Sequence, residues 1–196
     1  CVAVSLTRLR VNGCPQYCCM VATCGDDCGL AARQWREVME AKGMTADATY
    51  SVQMPNTYVI FPGFDVDKPE VEQRKLSAVT QAADALCQRI EAMEKGDFTH
   101  HGSVAWLKSR IIYPWFMRHI DDTPFATTDA CVGCGRCAAA CPTANITISS
   151  HKPQWHGDCL NCLACYHTCP HHAIAFGRRT HGKGQYTCPD NKTTSK

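Results

Sequence analysis

Four cysteines fall within eleven residues in "CVGCGRCAAACP", from Cys131 to Cys141, and the stretch closes on Pro142. The same four positions and the proline return 28 residues later in "CLNCLACYHTCP", from Cys159 to Cys169. Such a pattern is not packing. The chain carries 16 cysteines in 196 residues, and half of them lie in these two repeats. In a reducing compartment that usage points to metal binding or redox chemistry rather than a disulfide framework, because cellular thiols keep structural cysteines reduced.

Two metals compete for the repeats. Zinc sites commonly join two CxxC pairs across a long spacer, so that four thiolates reach a tetrahedron around one ion. Here the third cysteine follows the second at once, in CxxCxxC. A loop of that kind wraps three thiolates around three corners of an iron–sulfur cube, while the fourth cysteine points away on a short helical turn. In the bacterial two-cluster pattern that fourth cysteine, followed by Pro, ligates the other cluster. The expected sets are Cys131, Cys134, Cys137 and Cys169 for one [4Fe–4S] cluster, and Cys159, Cys162, Cys165 and Cys141 for the other. Twin zinc sites stand as the competing reading. Pro142 and Pro170 end each turn. Gly133, Gly135, Ala138, Ala139 and Ala164 either let backbone amides approach the sulfides or are ordinary turn and helix composition. Because the cysteine sets are complete, His167, His171 and His172 read as surface or packing residues rather than ligands.

The totals set limits on function. A net charge of +2 and a sequence pI near 7.9 give no electrostatic support for nucleic-acid binding. No run of eighteen apolar residues occurs, and "CVAVSLTRLR" lacks a signal-peptide core, so a cytoplasmic location is expected. The cysteine region has few large apolar residues, so metal binding there doubles as folding energy. Ile146 maps on Ile174 and Ile148 on Phe176 at the same offset of 28, which predicts one small shared core.

The elements ahead of the repeats read as α/β. "YCCMVAT" is a continuous apolar run, as in a strand buried on both faces of a parallel sheet. Ala31, Trp35, Val38 and Met39 then recur at helical spacing, with Gly43 placed as a C-terminal cap. "DATYSVQM" alternates, which predicts a second strand nearer the sheet edge. Asp67 and Pro69 open a long helix whose stripe of Leu76, Val79, Ala83, Leu86, Ile90 and Met93 is expected to pack on the sheet. "VAWLKSRIIYPWFMRH" reads as a docking segment, with an interfacial membrane helix as the alternative.

The cysteine region resembles bacterial two-cluster ferredoxins, and the longer chain resembles the flavodoxin-fused ferredoxins. "MVATCGDDCG", the helix after it, "YSVQMPNTYVIFPGFDVD" and "GKGQY" carry the second likeness. The resemblance implies a partial flavodoxin-like, doubly wound α/β domain at 1–95 and a connector at 96–128. It also implies a small α+β two-[4Fe–4S] ferredoxin domain at 129–184 and a tail at 185–196. It further implies that Thr23, Cys24, Gly25 and Asp26 form the loop against a flavin ring. A flavodoxin-like domain opens with a strand and a phosphate-binding loop, and the chain instead begins at Cys1. An N-terminally truncated domain is therefore expected, with FMN bound only where that domain is complete. Cys24 and Cys28 read either as a redox pair or as plain loop residues. Cys18 and Cys19 are expected to pack as small hydrophobes. The function expected is electron transfer to and from redox partner proteins. A flavin-dependent reductase and a zinc-stabilised interaction module are the alternatives.

Overall fold

The computed structural model describes residues 15–102 and 120–188, together with 110, 114 and 118. Apart from those three residues, the docking segment before Ile120 lies outside the described residues. So do Cys1, Cys14, the opening stretch on which the truncation expectation rests, and the tail from residue 189. The chain divides into two units, Cys1–Pro55 with Pro69–Met117, and Asn56–Lys68 with Arg118–Lys196. Among the described residues no helix is long and apolar enough to cross a membrane.

The first unit holds β1 (Cys19–Cys24), α1 (Ala31–Ala41), β2 (Ala48–Gln53), α2 (Pro69–Glu91) and β3 (Gly96–Phe98). The strands form a parallel sheet in the order β1–β2–β3, with Cys19 opposite Ala48 and Ala48 opposite Gly96. Parallel neighbours need crossovers, and α1 and α2 supply them. One face of α1 buries Ala32, Trp35 and Met39. The helix stops at Gly43, whose left-handed φ of +71° lets its N–H reach the Glu40 carbonyl at 2.9 Å.

Among the described strands β2 lies between β1 and β3, and β1 leaves Val21 half exposed. The alternation of β2 misleads because Thr49, a polar residue, is fully buried and satisfied there: its hydroxyl donates to the Asp97 carboxylate at 2.8 Å. β3 escapes the sequence reading because three residues are too few to show a period. The stripe on α2 lies half-buried with no residue fully enclosed, and Met93 falls beyond the helix and is exposed.

The second unit holds β4 (Phe125–Thr127), α3 (Arg136–Ala139), β5 (Ile146–Ser149), β6 (Lys152–Trp155), α4 (Ala164–His167) and β7 (Ile174–Phe176). Two antiparallel ladders pair β4 with β7 and β5 with β6. The offset of 28 carries one ladder into the other: Ile146 opposite Trp155 becomes Ile174 opposite Thr127. Ile146, Ile174 and Phe176 share the core as expected, whereas Ile148 is 37% exposed.

That core is not made by the repeats alone. Val59 and Ile60, from the strap Asn56–Lys68, are fully buried in it beside Phe125, Leu163 and Tyr166. The sequence reading places this strap in the N-terminal domain and starts the cysteine domain at Asp129; packing places the strap and β4 together with the repeats. The Asp67 carboxylate accepts the Asn56 amide at 3.0 Å and closes the strap on itself.

His167 ties the strap to the segment at Tyr186. It is buried, its Nε2–H donates to the Thr57 carbonyl at 2.6 Å, and its Nδ1 accepts the Tyr186 amide at 3.1 Å. Burial holds the ring below its usual pKa, in the neutral form those two bonds require. The Tyr166 hydroxyl donates to the carbonyls of Lys183 and Gly184, and the Gly184 amide donates to Asp65. Gly184 is a glycine because a Cβ there would overlap Val66.

Replacing His167 by Phe keeps the ring's bulk and removes both nitrogens, and with them the donor to the Thr57 carbonyl and the acceptor of the Tyr186 amide. The expected cost is about 1–3 kcal/mol. Native-state hydrogen exchange checks it: protection at Val59 and Ile60 falls, while that of β1 and β2 in the other unit is unchanged.

Candidate metal centre

Each CxxCxxC loop has to turn its three thiols toward one space, and left-handed residues do the turning. Gly133 and Gly135 have φ of +68° and +76°. A Cβ at Gly133 would stand 2.7 Å from the His151 carbonyl oxygen, so only glycine fits. In the second loop the same two positions are Asn161 and Leu163, at +49° and +60°. Asn tolerates that region; Leu does not readily, and Leu163 is held in it by complete burial in the core.

One helical turn follows each loop. The Ala139 amide bonds to the Gly135 carbonyl, and the His167 amide to the Leu163 carbonyl, both at 3.0 Å. The fourth cysteine comes next, then another left-handed pair, Ala144 at +53° and His172 at +48°. That bend aims an amide back at the sulfur: Asn145 N–H meets Cys141 Sγ, and Ala173 N–H meets Cys169 Sγ, both at 3.3 Å. The duplication thus holds at the level of single hydrogen bonds.

The eight cysteines ring two cavities. Cys131, Cys134, Cys137 and Cys169 line the first, with Ile148 and Ile174 beside them. Cys141, Cys159, Cys162 and Cys165 line the second, with Phe125, Ile146 and Trp155. Each cavity therefore receives three cysteines from one repeat and the fourth from the other. Among the described residues no three His, Cys, Asp or Glu side chains close on a single point as one metal ion requires; the thiols surround a space instead. Eight soft thiol donors in two rings suit iron–sulfur clusters.

Within each ring the middle cysteine, Cys134 or Cys162, is exposed and the third, Cys137 or Cys165, is buried. Burial pushes the thiol of Cys137 up, that of Cys159 up to about 11, and that of Cys165 up to about 12. They are neutral thiols near pH 7, and a bound metal would displace their protons to solvent and hold them as thiolates.

Two residues outside the motifs shape the second cavity's approach, and no periodicity marks them in the sequence. Asn145 is buried; its amide donates to the Asp122 carboxylate at 2.8 Å, and its carbonyl oxygen accepts the His156 and Asp158 amides. Asp122 also accepts the Gly157 amide at 2.7 Å. Together they fix the three residues that lead into Cys159. Of the flanking histidines, His167 is a packing residue, and His171 and His172 are exposed.

The residues expected against a flavin lie in the first unit. Thr23 and Cys24 end β1, and Gly25 and Asp26 begin the loop to α1, at the carboxyl end of the strands. The Asp26 carbonyl accepts the Gln53 side chain at 3.0 Å. Burial, then a hydrogen bond with Cys28, pushes the Cys24 thiol up to about 12, which keeps it protonated and unreactive near neutrality. Cys18 and Cys19 are half-buried.

Replacing Asn145 by Ala removes one of the two donors to the buried Asp122 carboxylate and takes the acceptor from the Asp158 amide at the entrance to Cys159. A loss of about 1–3 kcal/mol is expected. Iron release to a chelator checks it, and should be faster from the variant than from the parent protein.

Residues 130–174 match the family model of the 4Fe-4S dicluster domain. No curated protein and no solved structure matches the chain. The repeats, their crossed cavities and this match agree: the segment is a ferredoxin-like iron–sulfur module.

Proposed function

We propose that the second unit carries single electrons through two [4Fe–4S] clusters. One is held by Cys131, Cys134, Cys137 and Cys169, the other by Cys159, Cys162, Cys165 and Cys141. The observation that carries this reading is the crossing of the two cysteine rings, each completed by the fourth cysteine of the opposite repeat. Bound clusters supply one-electron chemistry, and the chain sets their spacing, burial and hydrogen bonding.

The chain's own residues fit that task. The amides of Asn145 and Ala173 donate to ligand sulfurs and stabilise negative charge there. The exposed Cys134 and Cys162 leave each ring an edge near solvent, where a redox partner protein can approach. The apolar residues around the cavities limit water on the other sides. Coupling to a flavin in a longer protein is part of the proposal. What supports it is a parallel sheet in sequential order, as in the last three strands of the flavodoxin-like order 2-1-3-4-5, with Thr23 to Asp26 at its carboxyl edge.

The test is a single substitution read at the opposite motif. In Cys141→Ala, the cluster held by Cys159, Cys162 and Cys165 should lose iron, because a cube without one thiolate sheds the uncovered corner. The cluster of the first repeat should survive. Cys169→Ala should do the converse. Electron paramagnetic resonance of the reduced proteins distinguishes these outcomes. Loss confined to the mutated cysteine's own repeat would mean self-contained motifs and would remove the basis of the proposal.

A further inference from the structure

Building on that reading, we infer that the indole N–H of Trp155 donates a hydrogen bond to sulfur of the cluster held by Cys141, Cys159, Cys162 and Cys165, and thereby raises the potential of that cluster. Trp155 ends β6 opposite Ile146, and its ring stacks on Phe125 with centroids 5.4 Å apart and planes 9° from parallel. Both rings line the second cavity. The Nε1 atom is shut off from solvent and has no hydrogen-bond partner among the described residues.

A buried donor left alone costs on the order of 1–3 kcal/mol, and native proteins rarely leave one. Indole nitrogen can only donate, so what it lacks is an acceptor. The cavity beside it is bordered by four cysteines, which carry negative charge on sulfur once a cluster is held. The cluster's sulfur is an acceptor of the kind missing.

The two cavities differ at this point. The offset of 28 relates most of their linings: Leu160 to Val132, Ile146 to Ile174, Phe125 to Pro153. Trp155 maps on Thr127, its counterpart in the β4–β7 ladder, and Thr127 does not line the first cavity. The indole donor is therefore present on the second side only, while the first cavity is lined by Arg136 and His171. A hydrogen bond to cluster sulfur favours the electron-rich reduced form, so it raises the potential of that cluster and leaves the other alone.

The experiment uses the full, iron-loaded chain, titrated potentiometrically and followed by electron paramagnetic resonance. Trp155→Phe keeps an apolar ring and removes the N–H. With iron content equal to the parent protein's, the midpoint potential of the cluster coupled to the indole nitrogen should shift down and the other should stay. Placing 3-benzothienylalanine at position 155 keeps the bicyclic shape without the N–H, and should give the same shift if the Phe variant fails to load. In the parent protein, indole nitrogen-15 labelling should give a hyperfine coupling to one reduced cluster in pulsed resonance spectra, a readout that needs no variant. Unchanged potentials in either fully loaded variant, or no coupling in the labelled parent, would overturn the inference. Failure of the parent chain to hold iron would instead count against the two-cluster reading on which it rests.

Discussion

Three thiols on a CxxCxxC loop can face one space only if the chain turns left-handed twice within five residues, and L-residues resist that turn. Most of the second unit follows from how the turn is made and held. In the first repeat glycines make it without strain. In the second, Asn161 and Leu163 make it because the core grips Leu163. Once a loop is closed, the single helical turn behind it carries the fourth cysteine away from its own ring and into the opposite cavity. Neither half can complete a site alone, so the two fold as one body around Ile146, Ile174 and Phe176.

The duplication leaves this body short of apolar mass, as expected for a small module that relies on metal. The strap Asn56–Lys68 supplies Val59 and Ile60, and His167 fastens the strap on one side and Tyr186 on the other. A histidine that lies two residues beyond a buried cysteine thus serves packing rather than ligation. It is also one of the ways in which the second repeat departs from the first, where Ala139 occupies the equivalent position. Trp155 is another. Duplicated sites that began alike can be given different electronic character by such one-sided residues, and two unlike clusters can pass an electron in a preferred direction.

The grouping of the cysteines around two cavities was legible in the sequence because the number of intervening residues decides which sulfurs can face one another. Helix α1 was legible for a similar reason, since Ala32, Trp35 and Met39 mark one face. What could not be read depends on distant partners. The strap looks like any turn-rich stretch, and its role appears only through Thr57 and His167, 110 residues apart. Asn145 and Asp122 are ordinary loop residues until the fold brings them together. The place of β2 between two other described strands was hidden by Thr49, whose burial is made possible by Asp97 from a strand too short to recognise.

Whether the thiol rings hold iron–sulfur clusters at all is the claim from which the rest follows. Mössbauer spectroscopy of anaerobically prepared protein enriched in iron-57, with iron and acid-labile sulfide counted on the same sample, tests it directly. Two cubane clusters require about eight iron and about eight sulfide per chain, with spectra of delocalised iron pairs. Stoichiometric zinc without labile sulfide, on protein that has never met oxygen, would contradict it.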